Sequence, residues 1–255
     1  MTPAEILALY DAQMRNDPPP ELGVRHERAG SVVRAVGRYN CILYSHLDAQ
    51  SADAAIAEQA AHFRNAHSDV EWKVYSHDLP ADLGQRLGVA GFEPDDAETL
   101  MAFDLANDLA AGAMPNDVVV QRVADKRGLE DLVAVNEAIW DHGDVARNEM
   151  YAQRLRDPSL GLYVAYADGR PVAAARLEMP RDRPFAGLWG GCTLPEFRGR
   201  GIFRAIVAAR AAEARVNGFR FLNVDAAETS RPILERLGFN ALCGVTGWRL
   251  KASPQ

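Results

Sequence analysis

Apolar residues recur at helical spacing in some stretches and alternate in others, and the order of these two patterns divides the chain into halves. Ile6, Leu9, Tyr10 and Met14 fall three or four apart behind Thr2 and Pro3, which predicts a short helix over residues 2–16, ended by Pro18-Pro19-Pro20. Val32, Val33, Val36, Tyr39, Ile42, Leu43 and Tyr44 read as strand material turning at Gly37. Ser51 or Asp53 is expected to cap a helix reaching Ala66, and the stretch from Glu71 to Tyr75 alternates as a strand does. Asp78 and Pro80 open a short helix ending at Leu87-Gly88, Gly91-Phe92 follows, and a strand covers Thr99 to Phe103. Residues 107–116, with Gly112 and Pro115, read as a connector.

The second half begins with a strand from Val118 to Val123. Helices are expected over 128–140 and 144–156, then a hairpin of 161–166 with 171–177 about the turn dipeptide Asp168-Gly169. A strand from Phe185 to Leu194, a long amphipathic helix from Arg200 to Val216 and a strand from Arg220 to Val224 come next. A helix from Ser230 to Leu237 stops at Gly238, and strands are expected around 241–245 and 247–250.

Length and composition leave room for one large or two modest globular domains: 255 residues, 48% apolar. No apolar run approaches the roughly 20 residues of a membrane helix, and the first residues lack the basic start and apolar region of a signal peptide. Cys41, Cys192 and Cys243 are odd in number and far apart, which argues against a disulfide framework or a Cys-x-x-Cys metal site and for a reducing cytoplasm. The net charge of −7 is uneven: residues 1–116 carry −10 and residues 117–255 carry +3, mostly through arginines, which suit phosphate geometry. No basic tract for nucleic acid is present.

That arginine excess is concentrated where the chemistry is most readable. The strand from Leu188 runs into Cys192-Thr193-Leu194-Pro195, and the turn Arg198-Gly199-Arg200-Gly201 leads straight into the long helix at Ile202-Phe203-Arg204. Glycines let a backbone approach a ligand closely, and the first amides of a helix have no internal acceptor, so a strand, a glycine-rich turn and a helix start together make an anion cradle. This stretch resembles the pyrophosphate-binding motif, Arg/Gln-x-x-Gly-x-Gly/Ala, of the GNAT superfamily of acyl-CoA-dependent N-acyltransferases. Arg198 and Gly201 match it; Phe203 stands where Gly or Ala is usual, a departure that matters little if only its backbone amide is used. A second likeness is the run from Ser230 to Phe239, a helix ending in Leu237-Gly238-Phe239, which in the family lies beside the thiol arm of CoA.

The resemblance covers about residues 117–251 and implies an α/β (α+β) fold: a mixed, mostly antiparallel central sheet flanked by helices. A faint repeat extends it. The run from Arg86 to Phe92 echoes Arg236-Leu237-Gly238-Phe239, so the first half resembles a degenerate copy of the same fold, in tandem. The expected organisation is an N-terminal helix and proline linker (1–20), a degenerate half (21–108), a connector (109–116) and an acetyltransferase domain (117–255). The first half's counterpart of the cradle, at Ser51 to Ile56, has neither glycine nor arginine, and Asp53 would repel phosphate; one live site and one relic are expected.

The resemblance implies an N-acetyltransferase using acetyl-CoA as cosubstrate, without a metal, and transferring acetyl to a small amine or exposed amino group by direct attack. Its expected partners are acetyl-CoA and the amine, in a monomer or homodimer. The cofactor-binding set it implies is Cys192, Thr193, Leu194, Arg198, Gly199, Arg200, Gly201, Ile202, Phe203, Arg204 and Ser230, with backbone amides around 192–194 meeting the pantetheine arm and Gly190-Gly191 permitting the strand to splay. An alkylammonium needs a base near neutral pH; Glu178, at a strand end, is the first candidate, followed by Asp225 and Glu228. Asp141, His142 and Glu149 lie in the helical segment that shapes the acceptor pocket. The family's tyrosine acid, five residues before the phenylalanine of Leu-Gly-Phe, is replaced by Leu234, which keeps open a non-catalytic acyl-CoA-binding regulatory module.

Overall fold

The computed structural model describes residues 1–112, 115–140 and 145–252. In chain order the elements are α1 (Pro3–Tyr10), running on through a π-helical turn Asp11–Asn16, β1 (Val24–Ala29), β2 (Val32–Gly37), β3 (Cys41–Ser45), α2 (Ala52–Asn65), β4 (Val70–Tyr75), α3 (Leu83–Val89), β5 (Glu93–Pro94) and β6 (Glu98–Asp104). Then follow β7 (Val118–Arg122), α4 (Lys126–Trp140), α5 (Val145–Gln153), β8 (Leu160–Ala167), β9 (Arg170–Glu178), β10 (Phe185–Thr193), α6 (Ile202–Val216), β11 (Phe221–Ala227), α7 (Arg231–Leu237) and β12 (Asn240–Leu250). Local chemistry sets the first boundary: Thr2 and Glu5 form a capping box, each side chain bonding the other's backbone amide, with Pro3 in the first turn.

The chain forms two compact units that cut across the sequence halves. One unit holds residues 1–101, 225–232 and 240–255, the other 102–224 and 233–239. β6 and β11 each contribute residues to both, so the connector at 109–116 separates the halves of the sequence but not the two units.

In the first unit the strand order is β1-β2-β3-β4-β12-β6. β1–β2, β2–β3 and β4–β12 are antiparallel, while β3 and β4 are parallel, pairing Cys41 with Glu71 and Ile42 with Trp72. The core lies between this sheet and α2 and α3: Ile42, Ile56, Phe63, Trp72, Leu83, Leu87 and Phe92 are all buried there. Each such side chain contributes about 1.5–3 kcal/mol through removal from water. α3 closes with Gly91 at φ +92° and Phe92 N–H bonded to the Leu87 carbonyl at 3.0 Å. A buried ion pair anchors the π-helical turn: Arg15 binds Asp78 at 2.7 Å and lies 3.7 Å from the Tyr75 ring centre.

In the second unit the order is β6-β11-β10-β9-β8-β7. β7–β8, β8–β9 and β9–β10 are antiparallel, and β10–β11 is parallel. The β8–β9 turn places Asp168 at φ +50° and Gly169 at φ +77°, as a two-residue hairpin of Asp-Gly requires. One face carries a core of Leu132, Val135, Met150, Tyr151, Leu162, Val164 and Ala174, contributed by α4, α5 and the strands. α7 closes as α3 does: Gly238 has φ +98° and Phe239 N–H bonds the Leu234 carbonyl at 3.0 Å. The structural counterpart of Gly238 is therefore Gly91; Gly88, which the sequence echo aligned with it, remains inside α3.

Three local expectations differ from the structure. β1 has no strand-like apolar alternation, since Val24–Ala29 reads Val-Arg-His-Glu-Arg-Ala, and is held by its ladder to β2. The final stretch is one strand, β12, because Thr246 and Gly247 keep their register with Val74 and Lys73. α6 starts at Ile202, two residues later than expected, because Gly201 is left-handed. Among the described residues no helix is long and apolar enough to cross a membrane, and no group of three metal-ligating side chains occurs.

Candidate functional site

The site is assembled in the second unit where β10 leaves β11. Their parallel register covers Phe185↔Phe221, Ala186↔Leu222 and Gly187↔Asn223 and goes no further. Beyond it β10 keeps its ladder with β9, but with a register shift between Trp189 and Cys192. Gly190, inside that shift, has φ +56°, a region that side-chain-bearing residues avoid. Gly190 and Gly191 thus form the bulge that lets the strand part from its neighbour, as the sequence leads one to expect. Asn223, at the last paired position, is buried, and its Oδ1 has no hydrogen-bond partner. On β10, Thr193 Oγ1 is buried and unpartnered as well.

From the bulge, Cys192, Thr193 and Leu194 lead through a 3₁₀ turn, Pro195–Phe197, to the glycine turn. Gly199 and Gly201 both have left-handed backbones, at φ +78° and +82°. Gly201 is the N-cap of α6 and offers no side chain to its amides. The first helical bond runs from Ala205 N–H to the Gly201 carbonyl at 3.1 Å, so the amides of Ile202, Phe203 and Arg204 have no acceptor within the helix. Space above Gly199 is open: a Cβ there would meet nothing within 4 Å. A Cβ on Gly201 would come within 2.9 Å of the Arg204 guanidinium.

The three arginines differ. Arg198 Nε donates to the Thr193 carbonyl at 3.1 Å and so holds the turn to the end of β10. Arg200 is paired with Asp117 and lies 5.2 Å from the Phe197 ring centre. Arg204 is exposed and has no carboxylate partner among the described residues. Phe203 sends its ring toward the bulge, 3.2 Å from where a Gly191 Cβ would stand, so its bulk packs against β10 while its amide stays with the helix start. Free amides, left-handed glycines, open space and an unpaired cation fit a diphosphate.

On the sheet face that carries α4 and α5, Glu178 ends β9 with its side chain 29% exposed and paired at 3.0 Å with Arg176, which donates to the Tyr151 hydroxyl, also at 3.0 Å. Glu178 sits opposite Gly187 in the β9–β10 ladder, next to the parting of β10 and β11. The Trp189 indole folds back over Gly187, where any Cβ would strike it. Cys192 is buried and lies 3.5 Å from Asn136 Oδ1 on α4, which agrees with a packing role. Glu149 is exposed on α5; Asp141 and His142 lie outside the described residues.

The remaining candidates belong to the first unit. Asp225 is almost wholly buried, its side chain 2% exposed; one oxygen is paired with Lys73 and the other, Oδ1, is buried without a hydrogen-bond partner. Burial opposes the charge on Lys73, but the carboxylates of Asp225 and Glu71 outweigh it and hold the ammonium above its ordinary range. Burial, then the charge of Asp225, pushes the Glu98 carboxyl up. Glu228 is exposed in the turn after β11, and Ser230 is engaged there, its Oγ donating to the Ala227 carbonyl at 3.1 Å.

Two features escaped the sequence reading. Nothing in the sequence links Lys73 to Asp225, because the pair depends on strands far apart in the chain. Arg210 was legible in principle: it stands four residues after Ile206 and four before Ala214, on the buried stripe of α6, where an arginine breaks the amphipathic rule.

Comparison with known proteins agrees with this geometry. A sequence profile described as the Acetyltransferase (GNAT) family matches residues 125–239, which include the bulge, the glycine turn and the Leu-Gly-Phe end of α7. No curated protein matches the chain. Among solved structures, a GCN5-related N-acetyltransferase from Kribbella flavida is 17% identical, with a TM-score of 0.72 over 98% of this chain and 96% of that one. A GCN5-related N-acetyltransferase from Sphaerobacter thermophilus is 15% identical, with a TM-score of 0.62 over 100% and 95%. A tandem GNAT protein from the clavulanic acid biosynthesis pathway is 14% identical, with a TM-score of 0.64 over 92% and 86%. At such identities the likeness is one of fold, and it runs the length of the chain, both halves included. Residues 125–239 thus match the acetyltransferase (GNAT) family profile, in a chain that shares its fold with GNAT proteins over nearly its whole length.

Proposed function

We propose that this protein is an acetyl-CoA-dependent N-acetyltransferase with one working site, in the second unit, acting on a small amine or an exposed amino group. The observation that carries the reading is the start of α6: an N-terminus without a side-chain cap, preceded by two left-handed glycines, beside a strand that parts from its neighbour.

In this reading the amides of Ile202, Phe203 and Arg204 bind the pyrophosphate, with Arg204 adding charge and Arg198 fixing the turn. The free edge of β10 from the bulge to Leu194 hydrogen-bonds the pantetheine arm as an added strand would. When bound, the thioester supplies an acetyl group activated for attack by an amine. Backbone amides at the bulge orient and polarise its carbonyl. Glu178 takes the proton from the acceptor's ammonium, and its partner Arg176, held by Tyr151, keeps the carboxylate aimed. Asp225 and Glu228 rank behind it, Asp225 because its charge is engaged with Lys73 and Glu228 because it stands in solvent.

The buried, apolar Leu234 favours a second reading, a module that binds acyl-CoA and transfers nothing. The two separate in one assay. Thiol release from acetyl-CoA across a panel of amines is expected to depend on the amine and to fall about a hundredfold in Glu178→Gln. Gly201→Glu, which sets an anion in the cradle, is expected to abolish acetyl-CoA binding in calorimetry without unfolding the protein. Binding with no amine-dependent release supports the module; unchanged binding in Gly201→Glu overturns both.

A further inference from the structure

Beneath the bulge lies a charge that nothing described so far uses. Arg210, on α6, is 1% exposed. Its Nε donates to the Ile206 carbonyl at 3.2 Å and its Nη1 to the Arg176 carbonyl at 3.0 Å, both backbone acceptors. Among the described residues no carboxylate pairs with it. The nearest acid along the helix, Glu213, is occupied by Arg122 at 3.0 Å and by the Tyr163 hydroxyl. The third nitrogen, Nη2, faces the bulge: a Cβ placed on Gly191 would stand 3.6 Å from it. Burial pushes the guanidinium down to about 10, against the pull of Tyr163 and Cys192, so it remains a cation at neutral pH.

A buried cation without a counter-ion is costly, and chains tolerate one where it is paired part of the time by something else. Two backbone carbonyls satisfy hydrogen bonds but carry no net charge. Gly191 is the only residue whose missing side chain opens toward both Nη2 and the Phe203 ring among the described glycines, so the protein presents this charge to the back of its bulge through bare backbone.

We infer that Arg210 is a positioning residue for the acyl-transfer site, a fixed buried positive charge that acts through the Gly190-Gly191 backbone to favour negative charge developing on a thioester oxygen or thiolate held at the bulge. The inference rests on the cradle reading above. In a low-dielectric setting a cation acts over several ångströms, and helix α6 and the β9 carbonyl fix it in place before any ligand arrives. It also supplies what the apolar Leu234 cannot, a means of making the thiol a better leaving group without a proton donor at that position.

The experiment titrates bound CoA, following the thiolate's ultraviolet absorbance against pH in the full-length protein. In the wild type the bound thiol is expected to ionise about one pH unit below free CoA. In Arg210→Met, of similar length and uncharged, that depression is expected to vanish, while CoA affinity changes less than about threefold and kcat for the best amine falls about tenfold with KM for acetyl-CoA nearly constant. Arg210→Lys is expected to restore part of the depression. A bound thiol that ionises no lower than free CoA in the wild type overturns the inference, and that measurement needs no variant to fold. So does an Arg210→Met protein whose bound thiol ionises as low as that of the wild type, which would leave Arg210 a structural strut. Failure of the wild type to bind CoA at all would instead fell the cradle reading.

Discussion

The chain contains two versions of one device, a strand, a loop, a helix and a parallel strand, and they differ in what fills the loop. In the first unit β3, α2 and β4 form it; in the second, β10, α6 and β11 do. Before α2 the Asp48 carboxylate accepts from the amides of Gln50 at 2.9 Å and Ser51 at 2.8 Å and from the Ser51 hydroxyl at 2.7 Å. Before α6 no side chain among the described residues does this, and two left-handed glycines stand in its place. The first loop already holds an anion of its own, covalently attached, while the second leaves the same kind of donors free. The sequence pointed to Asp53 as the residue that would repel phosphate; Asp53 instead faces Arg86 at 2.9 Å, and Asp48 fills the loop.

The sharpest test of this contrast is Gly201→Val. A β-branched residue at φ +82°, pressed on Arg204, is expected to lower acetyl-CoA affinity more than a hundredfold in calorimetry and to lower the melting temperature by several degrees. Arg204→Ala comes next, with an expected three- to tenfold loss of affinity, on the order of 1 kcal/mol, that shrinks as salt rises. Arg200→Ala should cost less, since that guanidinium already answers to Asp117. If the two variants weaken binding equally, pairing is not what distinguishes them.

The smallest effect belongs to the first loop. Asp48→Asn is expected to leave acetyl-CoA stoichiometry unchanged, because removing the internal anion does not create the glycine turn. Its effect on stability has a definite sign. Bonds from Ser51, side chain first and backbone next, and from Gln50 hold the Asp48 carboxyl below its ordinary 3.8. The folded value is depressed, so the contribution is present above the ordinary value and lost as pH falls through the depressed one. Melting curves of wild type and Asp48→Asn should therefore differ at neutral pH and converge in acid; a gap that persists below the carboxyl range would remove Asp48 from the account.

How much of this was legible in sequence depends on whether the determinant is local. α6, its glycine turn and the β8–β9 hairpin were readable because apolar spacing, Gly201 and Asp168-Gly169 carry their own instructions. The Leu-Gly-Phe end of α7 was readable for the same reason, since Gly238 is the residue that takes φ +98°. β1 was not, because a polar strand exists only through the ladder its neighbour offers. The candidate base Glu178 could be named from its place at a strand end, whereas its partners Arg176 and Tyr151 come from the fold. Asp225, a candidate after Glu178 in the sequence, is set further apart from it in the structure because Lys73, from a strand far earlier in the chain, takes one of its oxygens.

The membership of β12 in the first unit has a consequence for biogenesis. A ribosome delivers β1 through β6 early, yet the slot between β4 and β6 is filled by a strand translated long after them. Until that strand emerges, β4 offers an open edge and Trp72 lacks the cover of its cross-strand neighbour Trp248. The nascent protein must therefore either keep that edge shielded or tolerate its exposure while the second half of the chain is still being made, and cutting the gene at the connector would yield a fragment with its sheet incomplete.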